Sequence, residues 1–565
     1  MKWTGKTTEV AIVLLGVSIL CFAVWLAMVS GEFEFVDPGV TVESKQLFEV
    51  AMRKRPVTLV VVAMMAASVI YLCACWCASR LKSQSRRTQR SQRTMLFWIV
   101  GLGVLSRVVL LGSTPILEID LYRYLWDGNV TMATGDPYKF APVEFVQWKY
   151  PAGQRINFAR TESETEWLRN FAQRQDESMQ DVLRITAQHY GQYTSPYPPV
   201  SQSAFALSHR LAPFAFSQTS LKSRVFVLKT VLVLFDIATG FVLILILRSL
   251  KLPETMSIVW FWSPLVLKEF ANGGHLDSVA IFCCTLFVLF AIKQLRSSRP
   301  MRFAIAAGIM LALGVGAKVF PVVLVPLWAV MTLKQFGWRA MFPGAISLLM
   351  VVAVNAPMLI RIAEFQNAEV GSLPKPGVLA FAESWEMNDM LFMLVFENLQ
   401  PPSLEDGRET VTPWFVFTSS KWRATMTNEL AFAAARAITT LIFGLIVAWL
   451  CWRMILAQPN ERARIFAESV FLCLAWFWFL SPTQNPWYWC WALPFVPLAR
   501  SRVWYLVGAM TLLYYLHFHF IYSGSDIAGF HYVVPFVEFG SVIFLLAFDT
   551  VLNRFLPRKK AIPAR

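Results

Sequence analysis

Long apolar runs, broken by short polar stretches, set the pattern of this chain. Val10–Ser30, Val57–Ala78, Met95–Leu117, Arg224–Arg248, Met341–Ile360 and Glu429–Leu450 are each long enough to cross a bilayer as a helix. Between 254 and 333 the runs shorten to Met256–Phe270, Ser278–Ile292, Phe303–Ala317 and Val319–Leu333. About 15 residues is short for a crossing, and broken helices with polar turns are tolerated where the turns line a cavity. Phe466–Leu480, Trp491–Leu498, Val503–Tyr522 and Val534–Leu552 complete the set. The pattern predicts an all-α polytopic membrane protein of about fourteen helices. Two large segments without an apolar run, 118–222 and 361–428, interrupt it. Within the first, Thr161–Tyr190 carries Trp167, Phe171, Val182 and Leu183 among charges, which predicts helix at or near the membrane surface.

Composition excludes a soluble domain: 56% of residues are hydrophobic and only 15% charged. The formal net charge of +15 does not point to nucleic acid, because the bases sit mostly in short loops between runs. The stretch Arg80–Arg93 has six bases and no acid, which assigns it to the cytoplasm with the N-terminus on the same side. Arg53-Lys-Arg55 then lies outside as a local exception. An even number of crossings and the basic tail Arg554–Arg565 put the C-terminus inside too. Val10–Ser30 is too long for a signal peptide. All nine cysteines fall in apolar runs, which argues against a disulfide framework, and Cys73, Cys75 and Cys77 point in different directions on one helix.

This topology puts the polar turns on the outer side. The densest of them is Glu118-Ile-Asp-Leu-Tyr-Arg-Tyr-Leu-Trp-Asp-Gly128, followed by Gly135-Asp-Pro-Tyr138 and Ala141-Pro142. Carboxylates beside an apolar span cost free energy and mark a site. Collected on the same side are Asp120, Arg123, Asp127, His189, Tyr197, Lys268, Glu269, His275, Asp277, Lys318, Trp385, Asn388, Trp487 and Tyr488. Acids, bases and aromatics together suit a reaction on a polar ligand with an anionic group: bases hold phosphate, rings stack on sugars, and a carboxylate takes a proton from a hydroxyl. No glycine-rich phosphate loop is present, so a nucleotide donor is disfavoured. Lys229 and Asp236, seven residues apart on one helix, read as a structural contact with Arg107 as a third member. Asn129-Val-Thr131 matches a glycosylation sequon but lies inside the densest motif and is read as coincidence.

The motif Asp120–Gly128 with Gly135–Tyr138 and Ala141-Pro142 resembles the first outer loop of polyprenyl-phosphate-sugar-dependent, GT-C-type glycosyltransferases, in particular their mannosyltransferase-like branch. Tyr197-Pro-Pro199, Ser263–Glu269, Gly274-His-Leu-Asp277, Ala317-Lys-Val-Phe-Pro321 and Pro482–Tyr488 extend the similarity over roughly Met95 to Phe520. The resemblance implies a GT-C-like transmembrane bundle over 95–522 with outer loops 118–222 and 361–428. It would be preceded by a two-span extension, 1–94, and followed by a last span and basic tail, 523–565. It implies an integral membrane hexosyltransferase that moves a sugar, mannose above others, from a polyprenyl-phosphate carrier to a glycan or lipid-linked acceptor on the outer face of a bacterial inner membrane, with inversion. Asp120 occupies the position of the catalytic base, with Glu118 as second candidate. Lys268, His275 and Lys318 are the phosphate-side candidates, and Arg123, Asp127, Tyr197, Glu269, Asp277, Trp385, Asn388, Trp487 and Tyr488 complete the substrate-binding set. The resemblance implies neither cofactor nor metal. A lipid-linked glycan polymerase or ligase, and a transporter or flippase for lipid-linked sugars, are the alternatives from other classes.

Overall fold

The computed structural model describes residues 5–35, 42–81, 86–149, 158–189, 191–216, 219–402, 404–405, 408–409, 412–525 and 527–555. Part of the basic loop Arg80–Arg93 and most of the tail Arg554–Arg565 lie outside the described residues, as does Tyr190. The described chain is helical apart from a two-strand hairpin, Leu404–Glu405 with Arg408–Glu409, and isolated bridges. Among the described residues ten helical stretches are long and apolar enough to cross a membrane, so the protein is a polytopic all-helical membrane protein.

Ten is fewer than the fourteen expected, and the reason is local. Residues 254–272 are not one helix but a 3-10 turn, Glu254–Ser257, two short α pieces, Ile258–Phe261 and Pro264–Val266, and a π turn, Leu267–Asn272. Pro253 and Pro264 prevent a continuous ladder. The segment is sealed inside protein, with Trp260, Phe261 and Trp262 fully buried, which is where irregular backbone at membrane depth is tolerated. Likewise 491–498 contains only the 3-10 piece Leu493–Leu498, interrupted by Pro494 and Pro497. Val503–Tyr522 is split into Trp504–Met510, Thr511–Tyr515 and Leu516–Ser523. The two expected spans over 319–360 fall within one candidate stretch, Phe320–Asn367, which turns at Gly337 with φ +57°.

The segments 118–222 and 361–428 contain no candidate span among the described residues, as expected. The first forms a small helical layer. Thr161 caps Glu162–Gln173 through a reciprocal box with Glu164, and Asp176 caps Glu177–Gln188. Leu168, Met179, Val182 and Leu183 are buried, so these helices turn their apolar sides onto protein, packing with Asp120–Thr134 and Pro142–Lys149.

The expected contact between Lys229 and Asp236 is corrected. Asp236 instead takes a two-pronged pair with Arg107, Nε–Oδ2 2.6 Å and Nη2–Oδ1 2.9 Å. The remaining Arg107 donors reach the carbonyls of Phe261 (2.8 Å), Gly103 (3.0 Å) and Trp260 (3.3 Å). Lys229 turns to Leu110 O (2.7 Å), Ser113 O (2.8 Å) and Ser113 Oγ (3.2 Å), at the end of the Arg86–Leu111 helix. A guanidinium fork matches a carboxylate better than an ammonium does, and a helix end offers the ammonium three acceptors instead. Gly240 permits this junction, because a Cβ there would lie 2.4 Å from the Phe261 ring.

Candidate functional site

The centre of the site begins with a backbone constraint. Leu117 is buried with φ +52°, a conformation an L-residue rarely holds, and it ends the exit from the Arg86–Leu111 helix. Glu118 follows, and its Oε1 accepts the N–H groups of Ile119 (2.9 Å) and Asp120 (2.7 Å), organising the start of the helix Asp120–Thr134. Asp120 is therefore the first helical residue, where the exposed N–H dipoles favour a carboxylate.

Opposite lies the π turn Leu267–Asn272 and the bend after it. Gly274, at φ +72°, makes that bend, and a Cβ on it would fall 2.6 Å from Leu121 Cδ1. The bend carries His275 to Glu118, with Nε2 at 2.8 Å from Oε2, and to Glu269 Oε2 at 3.2 Å. Neither contact has hydrogen-bond geometry, and Nδ1 has no partner among the described residues. Trp487 stacks on the imidazole with centroids 4.2 Å apart. Lys268 lies 3.4 Å from Glu269 Oε2 and donates to Tyr515 Oη at 2.6 Å, while the Tyr515 hydroxyl donates to the other oxygen of Glu269. Asp277 opens the helix Asp277–Arg296 and takes Lys318 Nζ at 2.7 Å and Trp491 Nε1 at 2.6 Å. Lys318 also sits over the Tyr488 ring at 4.4 Å. Asn272 ties the two halves, accepting from Ile116 N (3.0 Å) and donating to Ser113 Oγ and Thr114 O.

Thus residues from both halves of the chain meet at one centre: Glu118, Asp120, Lys268, Glu269, His275, Asp277, Lys318, Trp487 and Tyr488. Their charges sort the carboxylates. Burial alone would raise Glu118, but the charge of His275, a contact with its ring and the charge of Lys268 outweigh it and hold the carboxyl at about 2. Burial and then the Glu118 charge push Asp120 up to about 7. Burial lowers His275, but Glu118 and Glu269 overcome it and lift the imidazole to about 10. Asp120 is half-buried, and its carboxylate makes no hydrogen bond or ion pair with a described residue. It is the carboxylate of this centre left uncommitted. One donor atom each of Glu118, Asp120 and His275 lies within 4.8 Å of the others, a grouping that could hold a metal ion, where none was expected.

Other expected residues make their hydrogen bonds elsewhere, although Tyr197 lies within electrostatic reach of Asp120 and Tyr488. Arg123 and Asp127 pair at 2.8 Å, Arg123 also donates to Tyr193 O (3.1 Å), and Asp127 accepts from Ser195. Gln202 bonds Ser195 Oγ (2.6 Å) as well, so this group braces the loop bearing Tyr197. Tyr197 packs edge-on to Tyr124 at 5.0 Å. His189 bonds the carbonyl of Ile185 at the end of its own helix. Asn388, at φ +52°, donates to Glu538 Oε2 at 2.9 Å, and the Trp385 ring stacks on Phe381. Their loop is joined to the Trp487 loop through backbone bonds of Met387 with Pro482 and Gln484. Trp385 therefore neighbours the centre through its carbonyl, which accepts from Thr483 Oγ1 (3.1 Å), whereas the Asn388 side chain also donates to Gln484 O (3.4 Å).

Sequence reasoning missed Tyr515, Trp491, Asn272 and Glu538. Tyr515 had a usable signal: a tyrosine in mid-run needs a partner for its hydroxyl. Trp491 and Glu538 lay in runs read only as lipid-crossing.

Compared with known proteins, the chain matches no family model, no curated protein and no solved structure; it is an integral, polytopic, all-helical membrane protein with ten candidate spans.

Proposed function

We propose that this protein is a GT-C-type glycosyltransferase that moves a sugar, mannose in the first instance, from polyprenyl phosphate to an acceptor hydroxyl. Asp120 takes the hydroxyl proton, the oxygen attacks the anomeric carbon from the face opposite the phosphate, and the carbon–phosphate oxygen bond breaks. The electron pair leaves with the polyprenyl phosphate, and the anomeric centre inverts. A phosphate monoester is already a good leaving group, so no metal is required in this scheme. Positive charge from His275, Lys268 and Lys318 lies around the carboxylates to meet that phosphate.

The observation that carries this reading is the uncommitted Asp120 carboxylate within a cluster whose other carboxylates are all engaged. Its raised value suits a base working near neutral pH. Crowding of the polar groups at one centre supports a transferase over a transporter, which needs polar access from both sides. The test is transfer of radiolabelled mannose from polyprenyl-phosphate mannose in membranes carrying wild type or Asp120→Asn, with and without EDTA. Product from wild type alone, surviving chelation, is expected. Equal product from both proteins removes Asp120 from the base role, and loss on chelation removes the metal-free scheme.

A further inference from the structure

A second polar region lies at the other end of the helices that frame the Asp120 centre. The helix Arg462–Leu480 ends next to the loop bearing Trp487, and its 19 residues span roughly 28 Å. At its start a shallow pocket is lined by Leu295, Met331, Lys334, Met454 and Arg462. Lys334 donates to the carbonyls of Met454, Ile455 and Ala457, closing the end of the Asn428–Leu456 helix. Arg462 Nε is buried and has no hydrogen-bond partner among the described residues. A buried donor on a charged group without an acceptor is costly, which points to an acceptor that binds there.

The surroundings carry excess positive charge. Arg453 (3.3 Å), Arg464 (3.2 Å) and Arg500 (3.1 Å) all converge on the one carboxylate of Glu468. Three guanidiniums on one acid leave two charges uncompensated, besides Lys334 and Arg462. Beside them the Asn428–Leu456 helix exposes Trp449, Trp452, Ile455 and Leu456, and Arg453 lies over the Trp449 ring at 5.0 Å. Bases next to exposed tryptophan and aliphatic side chains mark the level of lipid headgroups.

We infer that the mouth of this pocket binds the phosphate of an anionic phospholipid, with Arg462 donating to the phosphate, Lys334 contributing its charge from the helix end it closes, and Leu295, Met331 and Met454 against the upper acyl chain. Charge complementarity selects an anion. The apolar walls between candidate spans, with exposed tryptophans beside them, select a lipid over a free phosphate or a nucleic acid. The site is independent of the sugar-transfer reading, since it shares no residue with the Asp120 centre.

The test uses full-length protein in neutral detergent, titrated with dioleoyl phosphatidylglycerol or dioleoyl phosphatidylcholine, with bound lipid counted by native mass spectrometry. Wild type is expected to retain phosphatidylglycerol preferentially. Each base removed should cost about fivefold in that preference, so Arg462→Gln lowers it and Arg462→Lys restores most of it. Because Arg462 is partly buried, Arg464→Gln with Arg500→Gln is the second variant. Those side chains are 74% and 73% exposed, so the fold tolerates the change while the excess around Glu468 is removed and only Lys334 and Arg462 remain. Equal retention of both lipids by wild type, unchanged preference in both variants, or complete displacement of the lipid by millimolar inorganic phosphate would overturn the proposal.

Discussion

Two ionic clusters sit inside the same apolar body and behave in opposite ways. In the Arg107–Asp236 cluster both side chains are fully buried, both carboxylate oxygens are used, and the spare guanidinium donors end on three backbone carbonyls. Nothing there is left to react. Around Asp120 the same kinds of group are assembled, yet one carboxylate stays uncommitted, one imidazole nitrogen has no partner, and the local backbone is held at φ +52° at Leu117. Burial alone therefore does not separate structure from chemistry in a membrane protein. Completeness of pairing does.

The largest expected effect breaks the closed cluster. Arg107→Leu leaves the Asp236 carboxylate buried and unpaired and should cost about 3–5 kcal/mol, seen as a fall in thermal unfolding temperature in detergent. Arg107→Leu with Asp236→Leu should recover much of it, because removing both charges also removes their desolvation cost. Unchanged unfolding in the single variant would show that the pair is not sealed from water. At the open cluster, Gly274→Ala puts a methyl against Leu121 at a positive φ and should cost about 1–3 kcal/mol. Sugar transfer should fall with it, because the bend positions His275. Wild-type stability together with wild-type transfer would contradict the role given to that bend.

A smaller, pH-dependent effect sharpens the comparison. A carboxyl raised in the folded state holds its proton there longer than in the unfolded chain. Asp120 should thus lower stability progressively as pH rises from its ordinary value near 4 through about 7. The unfolding temperature of Asp120→Asn relative to wild type should rise across that window and level off above it; a flat difference would contradict the raised value. The smallest effect belongs to the basic end. Arg464→Gln removes a guanidinium that is 74% exposed from Glu468 and should change stability by less than about 1 kcal/mol. It should leave transfer unaltered.

Much of this was legible in the sequence. Apolar run lengths gave the helical, membrane-spanning class. Short runs ending in Lys268, Glu269, His275, Asp277 and Lys318 pointed to turns converging with Glu118 and Asp120, since broken helices need a polar lining. Pairing was not legible. Arg107, Lys229 and Asp236 share a neighbourhood, but guanidinium geometry and the acceptors at a helix end decide who meets whom. Arg123 and Asp127 read as ligand-binding groups because i, i+4 spacing on a helix does not reveal that Tyr193 and Ser195 consume their remaining valences. The span count was too high because hydropathy cannot distinguish lipid from protein as the apolar surround of 254–272. The bond from Asn388 to Glu538 crosses 150 residues, beyond any local pattern.

The most direct test of the account is the pH profile of mannose transfer from polyprenyl-phosphate mannose by wild type and Asp120→Asn, both checked for native unfolding. The account predicts a wild-type rate that rises with pH and levels off above about 7. On the wild-type plateau the rate of the variant should be lower by about 10²–10⁴-fold, and the variant should show no such rise. Transfer by Asp120→Asn at the wild-type rate, with the same rise, would contradict it.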